Sequence, residues 1–172
     1  MPDLSPADPA PPDFESKLCA LAALGARVAA LPRPVVLTNG VFDLLHRGHV
    51  TYLARARALG GSLVVAVNSD ASARRLGKGP ERPLNRCADR MAVLAALESV
   101  SLVTAFEEAT AVEAVRHAAP DIYVKGGDYV IEYTLEGRAA LAAGGRVVAI
   151  AFEHDRSTTD VVRRIRASAG PA

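Results

Sequence analysis

From Pro34 onward, short β-branched runs alternate with longer stretches in which apolar residues recur at helical spacing. Runs at Val35–Thr38, Leu63–Asn68, Ser101–Ala105, Asp121–Lys125 and Arg146–Ala151 predict five strands. Each is short and largely apolar, as strands are when helices cover both faces of a parallel sheet. Between the first two, Val50, Leu53, Ala56 and Leu59 form an inward stripe while Arg55 and Arg57 lie off it. Gly60-Gly61 supplies a left-handed stop. Further helices are predicted over Arg86–Glu98, with Met91, Leu94 and Leu97 inward, and over Thr110–Ala119, Thr134–Ala143 and Thr158–Ala167. Pro120 ends one of these, and Gly144-Gly145 repeats the glycine stop. The pattern predicts an α/β fold: a doubly wound, five-stranded parallel sheet with helices on both faces.

The first 31 residues read differently. MPDLSPADPAPP holds five prolines, two aspartates and no Lys or Arg, so residues 1–13 read as a disordered tail without the positive start of a secretory signal. Residues 14–31 read as an N-terminal amphipathic helix, and residues 32–168 as the main domain. The chain of 172 residues has 50% hydrophobic and 23% charged residues, which excludes disorder throughout. Twenty Lys and Arg against 19 Asp and Glu give a net charge of +1, which argues against bulk nucleic-acid binding. No stretch has the length and apolarity of a membrane span, and a cytoplasmic location is expected. Cys19 and Cys87 lie far apart and form no C-x-x-C pair, so they read as two buried, reduced thiols.

In an open parallel sheet, ligands bind outside the carboxyl ends of the strands. The candidate chemistry falls there. The segment Thr38-Asn39-Gly40-Val41-Phe42-Asp43-Leu44-Leu45-His46-Arg47-Gly48-His49 leaves the first strand and enters a helix, with His46 and His49 near its start. A helix N-terminus offers unpaired N–H groups and partial positive charge to a phosphate. Gly48 allows close approach of an anion to the backbone, and the histidines add donors near pH 7. The competing readings are two surface histidines on an ordinary helix, or a zinc site. Zinc ligands on a helix usually stand four apart and need further partners, which are not evident.

After the second strand, Asn68-Ser69-Asp70 precedes the basic stretch Arg74-Arg75-Leu76-Gly77-Lys78-Gly79 and then Arg82-Pro83. Lys78, between two glycines, reads as a point charge for a triphosphate or as part of a solvated basic loop. Lys125-Gly126-Gly127-Asp128-Tyr129 follows the fourth strand and exposes backbone groups that could read a purine edge. Ser157-Thr158-Thr159-Asp160 precedes the last helix, where the hydroxyls either cap it or bind phosphate.

From Gly40 to His49 the chain meets the pattern G-x-F-D-x-x-H-x-G-H position by position and so resembles the HxGH nucleotidyltransferases. Taken in order, TNGVFDLLHRGH, AVNSD, RLGKGPERP, YVKGGDY and STTD resemble the D-glycero-β-D-manno-heptose 1-phosphate adenylyltransferases, over about Leu31 to Arg166. That family occurs alone or as the C-terminal half of a bifunctional heptose kinase/adenylyltransferase, and the chain looks like the stand-alone form. The resemblance implies a Rossmann-like fold and transfer of AMP from ATP to heptose 1-phosphate, giving ADP-heptose for the lipopolysaccharide inner core. It implies His46, His49 and Lys78 as catalytic residues. Nucleotide binding would fall to Asn39, Gly40, Phe42, Gly48, Lys125, Gly126, Gly127, Ser157, Thr158 and Thr159. Asp43, Asp70, Arg90 and Asp128 would orient acceptor or metal, although a salt bridge at a helix end explains Arg90 as well. Mg²⁺ bridging the ATP phosphates is the implied metal. ATP and a sugar 1-phosphate are the implied partners, and the alanine-rich helical surfaces and the family point to a homo-oligomer.

Glycerol 3-phosphate cytidylyltransferases share the HxGH and S-T-T elements but carry R-T-E-G before the latter. Here that run is Phe152-Glu153-His154-Asp155, and Arg156 and Asp160 around the STT are less typical of the heptose family too. Other acceptors such as pantetheine phosphate or FMN, and a non-catalytic nucleotide-binding module, stand as alternatives. An aminoacyl-tRNA synthetase fragment is disfavoured, because the chain is too short and too neutral for a tRNA-binding domain.

Overall fold

Along the central strands, successive side chains are all buried but fall into two alternating sets. Val35, Leu37, Val64 and Ala66 belong to one hydrophobic cluster, whereas Val36, Leu63, Val65 and Val67 belong to another. A strand turns alternate residues to opposite faces, so two separate cores require a sheet covered on both sides. The computed structural model describes residues 13–77, 79, 81–127, 130–151 and 158–168, with the backbone alone at 158–160 and 166.

The strands are β1 (Leu18–Cys19), β2 (Val35–Gly40), β3 (Ser62–Asn68), β4 (Leu102–Phe106), β5 (Ile122–Gly126) and β6 (Arg146–Ile150). They form one parallel sheet in the order β1-β4-β3-β2-β5-β6. The helices are α1 (Leu24–Ala29), α2 (Arg47–Ala58), α3 (Asp70–Arg75), α4 (Cys87–Ala95), α5 (Val112–Ala118), α6 (Leu135–Ala142) and α7 (Thr158–Ser168). Residues of α1, α5 and α6 pack into one core, and residues of α2 and α4 into the other. The chain runs outward from β2 through β3 to β4, then crosses back to β5 on the other side of β2. The reversal puts the crevice of a doubly wound sheet at the carboxyl ends of β2 and β5.

The doubly wound parallel sheet is as expected, but it has six strands rather than five. The additional strand comes from residues 14–31, where one amphipathic helix was expected. That segment is instead a 3₁₀ turn (Asp13–Lys17), β1, a second 3₁₀ turn (Leu21–Ala23) and α1. Leu18 and Cys19 pair with Val103 and Thr104, so tertiary pairing with the edge of β4 overrides the local helical period.

Two further corrections concern single residues. Val50, expected to face inward on α2, is exposed, and Tyr52 is buried in its place. The Tyr52 hydroxyl lies 2.6 Å from Thr38 Oγ1 and donates to the Val124 carbonyl at 3.3 Å, which satisfies a polar group inside the core. Gly60 and Gly61 are not left-handed. A Cβ at Gly60 would lie 2.3 Å from the Pro34 carbonyl oxygen, and one at Gly61 would lie 2.6 Å from that of Arg33, so close approach to the backbone just before β2 requires them. Gly144 is left-handed, with φ +85°, as a helix stop requires.

Candidate active site

β2 runs two residues beyond its predicted end and brings Asn39 and Gly40 to the carboxyl edge of the sheet. The chain then turns sharply. Phe42 takes a left-handed φ of 49° with its ring buried, and a Cβ on Gly40 would stand only 3.0 Å from that ring. A non-glycine residue in this region is held there by its surroundings. The turn delivers His46 to the N-cap of α2 in an extended conformation, where its carbonyl accepts from the His49 and Val50 N–H groups at 2.9 and 3.2 Å.

The two imidazole rings are stacked, with centroids 3.9 Å apart and planes 25° from parallel. Phe42 meets the His49 ring edge-on at 5.5 Å. Burial holds His46 below the usual histidine range, so its ring is neutral at pH 7. His46 Nδ1 is buried and has no hydrogen-bond partner among the described residues. The His46 side chain makes no cap bond to the first turn, which leaves N–H groups at the start of α2. An unsatisfied buried nitrogen beside a helix N-terminus suits a ligand rich in acceptor oxygens.

Asp43 is held from every side. Its carboxylate accepts from Arg82 Nη1 at 2.8 Å, from the Leu84 N–H at 2.8 and 3.0 Å, and from the Asn85 N–H at 2.9 Å. Asn85 Nδ2 also donates to the Asp43 carbonyl at 2.7 Å. Burial opposes its ionisation, but the Asn85 and Leu84 N–H groups and the Arg82 guanidinium outweigh burial and keep the pKa below the usual carboxylate range.

Arg90, on α4, is buried. Its guanidinium donates to the carbonyls of Asn85 at 3.1 Å, Val41 at 2.5 Å and Asn68 at 2.8 Å, and to Asp70 Oδ1 at 2.9 Å. It thereby ties together the ends of β2 and β3 and the start of α4. Arg90 is a structural cross-link at the site's floor, with the salt bridge to Asp70 as one of its four bonds.

At the other side of the crevice, Asn39 Oδ1 accepts from the Tyr123 hydroxyl at 2.7 Å. Lys125, Gly126 and Gly127 are half-buried at the end of β5. Gly127 is left-handed, and its N–H donates to the Ile150 carbonyl at 3.0 Å, extending the pairing with β6. That N–H is therefore committed to the sheet and is not free to read a base edge. Arg74 and Arg75, expected in a basic loop, lie in the last turn of α3. Ser69 caps that helix by accepting from the Ser72 N–H at 3.1 Å. Lys78, Asp128, Ser157 and the side chains of Thr158 and Thr159 lie outside the described residues. Among the described residues no group of three or more His, Cys, Asp or Glu converges as a metal site. No helix of the described residues is long and apolar enough to cross a membrane.

A family model described as cytidylyltransferase-like matches residues 37–164, from the middle of β2 into α7. The chain belongs to the cytidylyltransferase-like family. This cytidylyltransferase-like chain is 56% identical over 155 residues to D-beta-D-heptose 1-phosphate adenylyltransferase of Bordetella bronchiseptica, covering 89% of this chain and 96% of that protein. It is 55% identical over 132 residues to the bifunctional protein HldE of Edwardsiella ictaluri, covering 77% of this chain and 28% of that one. The lipopolysaccharide core biosynthesis protein of Thermoplasma volcanium superposes with a TM-score of 0.59 at 30% identity, over 71% of this chain and 98% of that one. Pantoate-beta-alanine ligase of Francisella tularensis superposes with a TM-score of 0.57 at 9% identity, over 87% of this chain and 76% of that one, and shares the fold alone. The resemblance read from the motifs is borne out.

Within this cytidylyltransferase-like site, sequence reasoning missed Asn85 and Tyr123. An asparagine two residues before a helix looks like an ordinary capping residue, and a tyrosine inside a strand looks like core. Only the fold shows that one grips Asp43 and the other holds Asn39.

Proposed function

We propose that this protein is an adenylyltransferase that transfers AMP from ATP to D-β-D-heptose 1-phosphate, giving ADP-heptose and pyrophosphate for the lipopolysaccharide inner core. The observation that carries this reading is the stacked His46–His49 pair at the start of α2, in the switch-point crevice of a chain 56% identical to an enzyme of that name.

The reaction is an in-line displacement. A phosphate oxygen of the sugar 1-phosphate forms a bond to the α-phosphorus of ATP as the bond from that phosphorus to the bridging oxygen breaks, and the electron pair leaves with pyrophosphate. The attacking oxygen is already ionised at pH 7, so no strong general base is needed. Catalysis rests on holding two polyanions together and stabilising the charge that builds on the α-phosphate and leaving group. His46 and His49 would donate to the phosphates, with the N–H groups at the start of α2 beside them. Lys78 would hold the β- and γ-phosphates, and Ser157, Thr158 and Thr159 would add donors at the last helix. Asn39, Gly40, Lys125 and Gly126 would border the nucleotide across the crevice. Mg²⁺ would enter on the triphosphate as part of the substrate. The assignment of Asp70 and Asp128 to acceptor or metal, a homo-oligomeric assembly and a cytoplasmic location belong to the same proposal.

Pyrophosphate release is measured with ATP or CTP against a panel of phosphorylated acceptors. Turnover with ATP and heptose 1-phosphate is expected. Turnover confined to CTP and glycerol 3-phosphate overturns the choice of base and acceptor.

A further inference from the structure

Asp43 stands three residues before His46, at the head of the turn that aims both imidazoles. The resemblance suggests that its carboxylate faces acceptor or metal, yet every oxygen is already engaged within the chain. A carboxylate has about four lone-pair sites, and the donors from Arg82, Leu84 and Asn85 make four contacts with them. Its side chain is 6% exposed, and that of its partner Arg82 is 11% exposed. Asn85 closes the grip from the other side by donating to the Asp43 carbonyl. Arg90 adds a third side, because it bonds both Asn85 and Val41, two residues before Asp43. These bonds surround Phe42 in its left-handed conformation, a geometry that persists only where the surroundings over-determine it.

We propose that Asp43 is a positioning residue: by tethering Arg82, Leu84 and Asn85 to the turn after β2, it sets the aim of His46 and His49. The proposal rests on the adenylyltransferase reading. In that reaction the donors must meet charge that develops only in the transition state, and a displacement of about 1 Å costs roughly 10²-fold in rate. The tether joins the turn that carries the imidazoles to the segment 82–85, which is distant from it in sequence.

The test is a double-mutant cycle of Asp43→Asn and Arg82→Gln, read by kcat, by KM for ATP and sugar 1-phosphate, by the Mg²⁺ concentration for half-maximal rate, and by amide hydrogen exchange. Asp43→Asn is expected to lower kcat by about 10²-fold with both KM values near wild type. Arg82→Gln should produce part of that loss, and the double variant should be no worse than Asp43→Asn alone, because both break one tether. The Leu84 and Asn85 amides should exchange faster in Asp43→Asn while those of β2 and β3 stay protected, which also shows that the variant is folded. If Asp43→Asn fails to fold, Arg82→Gln carries the test through its drop in kcat at unchanged KM. Additive losses overturn the proposal, as does a rise in Mg²⁺ requirement or acceptor KM with exchange at Leu84 and Asn85 unchanged. A wild-type enzyme inactive across the acceptor panel defeats the functional reading instead; the tether is then judged by exchange, and unchanged exchange in Asp43→Asn overturns it.

Discussion

Tyr123, fully buried in β5, donates its hydroxyl hydrogen to Asn39 Oδ1 of β2 at 2.7 Å, across the two strands between which the chain reverses direction. Burial raises the Tyr123 pKa, so the phenol stays protonated and remains a donor. The bond fixes the Asn39 carboxamide at the floor of the crevice. Tyr123→Phe should lower stability by about 0.5–1.5 kcal/mol, the usual net value of one such bond, as measured by urea unfolding. It should raise KM for ATP more than it lowers kcat, because Asn39 is proposed to border the bound nucleotide.

His46→Ala should cost about 2.7–4 kcal/mol of transition-state stabilisation, or roughly 10²–10³ in kcat, as loss of one donor to developing charge does. ATP affinity, measured by titration calorimetry, should fall much less. Near-normal turnover in this variant would remove His46 from the mechanism.

Acid should destabilise the fold through two groups whose pKa is lowered. For His46 the unfolded chain takes up a proton below its ordinary value of 6.5 while the folded chain still resists it, so stability falls with pH from there downward. For Asp43 the contribution is complete above its ordinary value of 3.8 and is lost as pH falls through its lower folded value. Urea midpoints from pH 8 to pH 3 should show His46→Ala flattening the upper part of this decline and Asp43→Asn the lower part.

Arg90→Lys should destabilise the protein by about 1.5–3 kcal/mol, the scale of one charged hydrogen bond, despite conserving charge. An ammonium group has three donors and no planar fork, and cannot serve the Val41, Asn68 and Asn85 carbonyls together with Asp70. Thermal unfolding measures the effect, and an unchanged midpoint would show that the cross-link is dispensable.

Gly60 and Gly144 should respond differently to substitution. Gly60→Ala forces a methyl group against the Pro34 carbonyl and should cost about 1–3 kcal/mol by overpacking. Gly144 has open space around it and a left-handed φ, so Gly144→Asn should be tolerated better than Gly144→Val. Thermal midpoints of the three variants decide the point.

Where periodic pattern and motif spacing agreed, the chain was legible. The five longer strands lie within a residue or two of their predicted ends, and the G-x-F-D-x-x-H-x-G-H run indicated a strand-to-helix turn with two imidazoles at its close. Illegible were contacts between segments distant in sequence. β1 exists because two residues found the edge of β4, Asp43 is occupied because the 82–85 segment folds back over it, and Gly127 gives its N–H to β6. Val50 and Tyr52 lie on opposite edges of the α2 stripe centred on Leu53 and Ala56, so the helical period does not choose between them, and Tyr52 is buried with its hydroxyl satisfied on Thr38.

The order of residues by itself determined the parallel α/β architecture, the family and the presence of an imidazole pair, because each depends on local periodicity or on spacing along the chain. The tertiary structure alone decided that the Asp43 carboxylate and the Arg90 guanidinium are engaged by groups distant in sequence, that the glycines at 60 and 61 serve contact rather than handedness, and that the N-terminal segment extends the sheet. Those outcomes depend on which distant donors and carbonyls meet in three dimensions.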